Sequence, residues 1–310
     1  MIKKQWLPSL LFAFFVSSCG KKSSLEVVKT FPGYPSSSGI EKINKDYYII
    51  GDDAKNILIL DSSLLKKDSI SLYPFSKQRM PKSIKADLES IMKLNDNQLL
   101  ILGSGSASPY RNAGWLVNVR QREKQFIHLD TFYHRFSQNG IQDVNIEGAC
   151  IVQNKWLLAN RGHAGYPHNY LIVTKPYFWQ QQQAAPIEKI SIGQPSGDSS
   201  FRGISGLAYA KNSDQLLMSV STEATNSTTA DGAIGKSYIW IIQNITSKLG
   251  WQAINPNKII DLNQIDARFK GQKIESIHID EETKSSLKIL LVADNDNGVS
   301  TVFVLMLIKE

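Results

Sequence analysis

Short apolar runs rich in Ile, Leu, Val and Tyr recur along the chain, separated by turns of Gly, Asn, Asp and Ser. Long helical periodicity is hard to find, and Tyr177 to Ala185, with its glutamine tract, reads as a polar loop. This pattern is typical of an all-β protein. The clearest predicted strands are Tyr47–Ile50, Ile57–Leu60, Leu99–Leu102, Trp156–Ala159, Leu216–Val220, Tyr238–Ile242, Leu287–Ala293 and Val302–Ile308.

Five segments share one layout, which is an anchor motif followed by two apolar runs. The anchors lie 51, 58, 58 and 70 residues apart. Each anchor has Ser or Glu first, a small residue second and an apolar residue third. The five motifs are Ser38-Gly39-Ile40, Glu89-Ser90-Ile91, Glu147-Gly148-Ala149, Ser205-Gly206-Leu207 and Glu275-Ser276-Ile277.

Each repeat offers three strands, and the connection to the next repeat can supply a fourth. Candidates for that fourth strand are Ser69–Tyr73, Gln125–Asp130, Ile187–Ile192 and Lys258–Leu262. The fifth repeat runs into the C-terminus, so Leu25–Thr30 is its candidate outer strand. Closure of a ring by the N-terminal strand is how β-propellers protect their edges. We therefore predict a five-bladed β-propeller over residues 25–310, with six blades or a β-sandwich as alternatives.

The first residue of each anchor is expected to face the central channel, because innermost strands line it. The resulting ring holds Ser38, Glu89, Glu147, Ser205 and Glu275. Three converging carboxylates repel one another unless a proton or a cation lies between them. Oxygen donors in a roomy channel suit Ca²⁺ better than Mg²⁺, and the sequence has no Cys/His cluster with zinc spacing. A water-filled channel with solvated carboxylates is the alternative.

The N-terminus has the features of an export signal. Lys3 and Lys4 precede a short apolar stretch that ends in Val16-Ser17-Ser18-Cys19-Gly20. This motif resembles a bacterial lipobox, which implies removal of residues 1–18, acylation of Cys19 and a tether over residues 19–24. We expect a protein anchored by lipid to the cell envelope, with the outer membrane as the expected location. The propeller would lie outside the cytoplasm.

The remaining composition excludes some partners. Removing Lys3 and Lys4 lowers the formal charge from +7 to +5, and this mild excess forms no basic arm. Nucleic acid is therefore not an expected partner, whereas a small anionic ligand is compatible with the charge. Cys150 is the only other cysteine, so the processed chain would have no intrachain disulfide. We expect a monomer.

The order Ser, Glu, Glu, Ser, Glu, one residue per repeat, resembles the calcium-activated apyrases, which are secreted five-bladed nucleotidases. Three further stretches carry the same resemblance: Ser38-Gly39-Ile40 leading to Asp52-Asp53, Glu147-Gly148-Ala149-Cys150 leading to Arg161, and Gly203–Leu207 leading to Glu223. The resemblance implies an axial Ca²⁺ held by the five anchor residues. Bacterial phytase-like and esterase-like propellers are similar more loosely. Departures are Ser90 in place of an aromatic residue, Ser104–Ala107 in place of Lys-Glu-Trp, and Arg161-Gly162 in place of a basic pair.

A phosphoanhydride hydrolase needs a carboxylate that orients water and cations that hold phosphate oxygens. Asp52, Asp53 and Glu223 are the candidate catalytic carboxylates, and Arg111, Arg161 and Arg202 are the candidate phosphate-binding residues. Hairpin turns and surface ion pairs explain the same residues without a function. His163 and His168 are interpreted as structural or solvated rather than as metal ligands. Two functions stay open: a calcium-dependent hydrolase of nucleotides or other phosphate compounds, and a non-catalytic scaffold stapled by calcium that binds a protein or glycan.

Overall fold

The computed structural model describes residues 22–193, 201–228, 232–295 and 298–309. Its strands form five sheets arranged as a five-bladed β-propeller, which confirms the predicted fold. The N-terminal strand is β1 (Ser24–Phe31), and blade 1 contains β2 (Ser37–Ile43), β3 (Asp46–Gly51), β4 (Asn56–Leu60) and β5 (Lys66–Ser71). Blade 2 contains β6 (Leu88–Asn95), β7 (Gln98–Gly103), β8 (Ala113–Asn118) and β9 (Glu123–His128), followed by helix α1 (Asp130–Gln138).

The remaining three blades complete the ring. Blade 3 contains β10 (Ile146–Val152), β11 (Lys155–Asn160), β12 (Asn169–Thr174) and β13 (Glu188–Ile192). Blade 4 contains β14 (Arg202–Ala210), β15 (Gln215–Ala224), β16 (Ala233–Gln243) and β18 (Lys258–Asp261), and the short β17 (Ala253–Ile254) pairs in parallel with β13 of blade 3. Helix α2 (Leu262–Ile265) leads to blade 5, which contains β19 (Ile274–Glu282), β20 (Ser286–Asp294) and β21 (Ser300–Ile308).

Strand β1 closes the ring. It pairs antiparallel with β21, from Ser24 opposite Met306 to Phe31 opposite Ser300, so the predicted outer strand of the fifth repeat is confirmed. Each of the other four predicted outer strands overlaps an observed one. Joining the chain ends within one sheet gives blade 5 its fourth strand and covers the outer edge of β21.

Two segments differ from the sequence-based reading. The strand predicted to end at Asp130 stops at His128, and α1 follows, burying Phe132 and Phe136 in the core. The predicted polar loop over residues 177–185 contains a short 3-10 helix, and its Phe178 and Trp179 are buried. In both places a few aromatic side chains dock between blades 2 and 3, and their burial outweighs the polar composition around them.

The core consists of five apolar layers, one between each pair of neighbouring blades. Alternate residues of a middle strand belong to different layers: Leu158 of β11 packs toward blade 2, and Leu157 packs toward blade 4. Because both faces of the middle strands are buried, these strands appear in the sequence as continuous apolar runs rather than as alternating ones.

Each anchor residue sits at a β-bulge. In all five blades the pairing between the innermost strand and its neighbour skips the residue that begins the anchor motif. A bulged residue has no partner across the ladder, so its side chain can turn away from the sheet toward the axis. The small residue that follows each anchor lies where innermost strands approach closely: a Cβ on Gly148 would lie 2.9 Å from Cα of Gly206.

Gly148→Ala is expected to lower the free energy of unfolding by about 1–2 kcal/mol, because the new methyl group meets backbone that cannot rotate away. Urea unfolding measures the change. Gly33→Ala is the matched control, since nothing lies within 4 Å of a Cβ at Gly33. Equal stability of the Gly148 and Gly33 variants would contradict the close approach of the innermost strands.

Among the described residues, no helix is long and apolar enough to cross a membrane. The predicted signal sequence over residues 1–18 and the predicted lipidation site Cys19 lie outside the described residues.

Candidate functional site

Charged side chains from all five blades surround one end of the central channel. Innermost strands begin at this end and second strands finish there, so residues just before an anchor meet residues just after a second strand. We call this set the mouth network; its carboxylates and its Lys and Arg side chains are Asp52, Lys85, Asp87, Glu89, Arg111, Glu147, Arg161, Glu223, Lys273 and Glu275.

The side of the mouth near blades 1 and 2 is organised by Lys85. Its Nζ lies 2.5 Å from Asp52 Oδ2 and 2.6 Å from Asp87 Oδ1. Arg111 donates from a guanidinium nitrogen to Asp87 Oδ2 at 2.8 Å, and Ser104 Oγ donates to the same oxygen at 2.6 Å. Asp52, Asp87 and Glu89 each offer a carboxylate oxygen within 4.8 Å of the others. This carboxylate triad is the densest group of metal-ligating atoms among the described residues.

The opposite side of the mouth is organised by Arg161, which is buried. Its guanidinium lies 3.3 Å from Glu223 Oε2, 3.5 Å from Glu275 Oε2 and 3.7 Å from Glu147 Oε2. Lys273 Nζ adds contacts of 3.2 Å to Glu223 and 2.9 Å to Glu275. Two cations therefore serve three carboxylates, and Arg161 links blades 3, 4 and 5.

Acidic groups outnumber basic groups in the mouth network. Without His163, the network has six carboxylates and four Lys or Arg side chains, so full ionisation of these ten groups leaves a formal charge of −2. Burial, with Glu147 and Asp87 nearby, raises the pKa of Glu89 well above its usual range. Burial raises the pKa of Asp52 to about 6 although Lys85 opposes the shift, and burial likewise raises the pKa of Glu147 to about 7 against the effect of Arg161.

Glu223 titrates in the opposite direction from these carboxylates. Burial alone would raise its pKa, but Lys273 and Arg161, together with the Gly232 N–H at 2.9 Å, hold it below the usual range. Two kinds of carboxylate therefore line the mouth. Neighbouring cations favour the charged form of Glu223, whereas burial disfavours the charged forms of Asp52, Glu89 and Glu147.

The two serines of the predicted ring bond to backbone. Ser205 Oγ donates to the Ile274 carbonyl at 2.6 Å, and Ser38 Oγ donates to the Leu88 carbonyl. Each carbonyl belongs to the residue just before the next acidic anchor, so the serines tie neighbouring blades together at the axis. Of the three ring glutamates, Glu147 and Glu275 share Arg161, and Glu89 belongs to the carboxylate triad.

The predicted catalytic and substrate-binding residues separate into two groups. Asp52, Glu223, Arg111 and Arg161 all line the mouth. Asp53 instead accepts from Arg79 Nε at 2.6 Å, and the Arg202 guanidinium packs 5.0 Å from the centre of the Tyr238 ring; neither is among the described lining residues.

The two histidines also lie in different places. His163 lines the mouth, with Nε2 3.1 Å from Asp143 Oδ2, while Gly165 N–H donates to its Nδ1 at 3.1 Å. His168 stacks on Tyr170. Both nitrogens of His163 are therefore engaged by the protein itself.

Sequence reasoning missed Lys85, Asp87, Asn145 and Lys273. Three of them stand two residues before an acidic anchor, directly ahead of the innermost strand of their blade. Asp87 precedes Glu89, Asn145 precedes Glu147 and donates to its Oε1 at 2.7 Å, and Lys273 precedes Glu275. Comparing the repeats at that position would have found them.

The carboxylate triad offers oxygen donors of the kind that bind a hard divalent cation, and Lys85 already pairs with two of its members. The fully ionised mouth network would need two further positive charges to reach neutrality. Asp52 Oδ1 is buried and has no hydrogen-bond partner among the described residues. Such an acceptor carries a desolvation cost that a bound cation or ligand donor would relieve.

One match to a solved structure supports the fold, and two further matches have lower TM-scores. Glutaminyl cyclase from Myxococcus xanthus matches with a TM-score of 0.52 at 10% identity, covering 93% of this chain and 99% of that one. An inactive virginiamycin B lyase from Staphylococcus aureus with quinupristin matches with a TM-score of 0.46 at 11% identity, covering 91% and 100%. A streptogramin B lyase matches with a TM-score of 0.44 at 10% identity, covering 90% and 97%.

Two sequence comparisons complete the picture. No curated protein matches the chain in sequence. A family model described as a family of unknown function, DUF6929, matches residues 33–307, which is nearly the whole propeller.

Proposed function

Since the chain belongs to the DUF6929 family, whose description assigns no activity, we propose from its site that it is a calcium-dependent hydrolase of phosphate compounds centred on the mouth network. The observation that carries the proposal is the carboxylate triad, whose three oxygen atoms lie within 4.8 Å of one another in a mouth with an excess of two negative charges. We also propose that Cys19 anchors the protein to the outer membrane.

Asp52, Asp87 and Glu89 would hold the Ca²⁺, with Glu147 and Glu275 behind them in the same mouth. A bound Ca²⁺ supplies positive charge that polarises a phosphoryl oxygen. Asp52 Oδ1, which has no hydrogen-bond partner among the described residues, would accept a proton from water. Arg111 is the nearest guanidinium to the triad, and it can present its remaining N–H groups to a phosphate oxygen.

The non-catalytic scaffold is the second candidate, and the pairing of the arginines favours it. Arg111 and Arg161 are buried and already engaged with carboxylates, so the mouth network is electrostatically organised without a substrate. If the protein is a scaffold, the calcium ion holds the blades together and the surface around the mouth binds a partner.

Isothermal titration calorimetry tests the cation site. A soluble form without residues 1–19 is expected to bind one Ca²⁺, and Asp87→Asn is expected to weaken binding at least about tenfold because a charged ligand is lost. Asp266→Asn, an acid paired with Arg268 on the surface, is the matched control and should bind like wild type. No calcium binding by folded wild-type protein would refute both candidates.

Phosphate release separates the two candidates. Wild type is assayed with nucleoside di- and triphosphates and with phytate, in Ca²⁺ or in chelator. Release that requires Ca²⁺ and is lost in Asp87→Asn would establish the hydrolase. Calcium binding without release from any of these compounds would leave the scaffold as the function.

A further inference from the structure

A second concave surface lies beside the mouth network. We call it the α1 groove; it runs between α1 and the 105–112 segment and has a volume of about 760 Å³. Its polar lining comes mainly from Asn112, Asp130, Thr131, His134 and Gln138. Grooves of this size hold drug-sized ligands.

The groove adjoins the mouth through one short segment. Arg111 lines the mouth and the next residue, Asn112, lines the groove. Gly105, which also lines the groove, donates from its N–H to the Arg111 carbonyl at 3.0 Å. A ligand that reaches across this segment would contact both surfaces at once.

The lining favours a ligand rich in hydroxyl groups. Asp130 and Arg135 have opposite charges, so the groove favours neither an anionic nor a cationic ligand. Arg135 already donates to the Gln182 and Ala185 carbonyls, at 2.5 and 2.8 Å, whereas Thr131, His134 and Gln138 are exposed to solvent. Each of these three exposed side chains can both donate and accept a hydrogen bond, as each sugar hydroxyl can.

Asn112 adds an unsatisfied acceptor to the groove wall. The residue is 9% exposed, and its Nδ2 donates to Asp130 Oδ1 at 3.1 Å. Its Oδ1 is buried and has no hydrogen-bond partner among the described residues. A ligand hydroxyl or an ordered water at the wall would relieve this cost.

We infer that the α1 groove binds a sugar, and that the substrate at the mouth is the phosphate ester of that sugar. The second half of this inference rests on the proposed function; the sugar site itself does not. A sugar in the groove would position the attached phosphate toward Arg111, so groove contacts would select the substrate.

The test is a microarray of mono- to tetrasaccharides, followed by calorimetry of the strongest binder with and without a phosphate group. Gln138→Trp, which fills the groove from an exposed position of α1, is expected to weaken sugar binding at least tenfold. Arg120→Trp, in the exposed turn before β9, is the matched control and should bind like wild type. His134→Ala removes one exposed lining side chain and serves as the milder variant if Gln138→Trp does not fold.

The outcomes separate the groove from the mouth. In chelator, wild type should bind the neutral sugar as it does in Ca²⁺ and lose only the gain in affinity that the phosphate gives. Neutral sugar binding without calcium binding would support the groove and refute the proposed hydrolase. If no sugar on the array binds wild type better than Gln138→Trp, the sugar site is refuted, whatever the calcium result.

Discussion

Arg161→Met is expected to lower the free energy of unfolding by about 3–5 kcal/mol at pH 8 in the presence of chelator. The substitution keeps most of the side-chain volume but removes the guanidinium shared by Glu147, Glu223 and Glu275. All three carboxylates are buried, so Lys273 alone would face three negative charges. Urea unfolding of wild type and variant measures the difference.

The loss of stability in Arg161→Met is expected to depend on pH. The pKa of Glu147 is already raised to about 7 in wild type by burial, and loss of Arg161 would raise it further. A folded-state pKa above the unfolded one means that the folded state gains protons as the pH falls, so its stability rises on acidification. The deficit of Arg161→Met should therefore shrink from pH 8 to pH 5.

Arg268→Met is the control for losing an arginine ion pair, because Arg268 and Asp266 pair on the surface. Surface ion pairs contribute little to the free energy of unfolding, so Arg268→Met should be as stable as wild type. If Arg161→Met were as stable as this control at pH 8, the buried carboxylates would not depend on Arg161. Added Ca²⁺ should recover part of the lost stability if the mouth binds the ion.

Asp280→Asn is expected to lower the free energy of unfolding by about 3 kcal/mol, because Asp280 of β19 joins blade 5 to Lys42 and Tyr47 of blade 1. Its side chain is 2% exposed; Tyr47 OH donates to Oδ1 at 2.8 Å, and Lys288 Nζ lies 3.0 Å from Oδ2. Lys42 also pairs with Oδ1. The amide keeps the shape of the carboxylate but leaves two ammonium groups without their shared counter-charge.

The pH profile of this second variant differs from that of Arg161→Met. Burial opposes ionisation of Asp280, but hydrogen bonds from Lys42 and Lys288 dominate and lower its pKa to about 2. A depressed pKa contributes stability that is present above the unfolded value near 3.8 and is lost as the pH falls through about 2. The gap between wild type and Asp280→Asn should stay constant from pH 7 to about 4 and close toward pH 2.

Asp68→Asn is the matched control for this experiment, since Asp68 pairs with Arg122 on the surface. It should unfold at the same urea concentration as wild type. A gap between wild type and Asp280→Asn that persists unchanged at pH 2 would show that packing, rather than charge, is lost in that variant.

Arg161 and Asp280 have different roles in the two proposals. Asp280 stabilises the closed ring far from the mouth network, so its variant should lose stability while keeping calcium affinity per folded molecule. Arg161 lies within the mouth network, so its variant should change both stability and calcium binding. Measuring both quantities in both variants distinguishes a general loss of folding from damage to the site.

The sequence by itself determined the propeller, its five blades and its closure by the N-terminal strand. These follow from local signals: the anchor motif repeats, both faces of each middle strand are apolar, and only one unassigned run could complete the fifth blade. The same repeats placed Asp52, Arg111, Arg161 and Glu223 at one end of the blades, because residues that follow equivalent strands must lie at the same end. Helix α1 was missed because its burial depends on aromatic contacts with blade 3, a blade that follows it in sequence.

Only the tertiary structure decided which charges meet. No spacing in the sequence indicates that Lys85 lies between Asp52 and Asp87, or that Arg161 contacts glutamates of blades 3, 4 and 5. The sequence repeats specify where in its blade a residue lies. Which charged side chains pair depends on how far each side chain reaches and in which direction it points across the axis. The bulges at the anchors set those directions, because the five anchor residues have no partner in the strand ladder and their side chains can turn toward the axis. The strands could therefore be predicted from each repeat by itself, whereas the charge contacts of the mouth network form only when five blades converge on one axis.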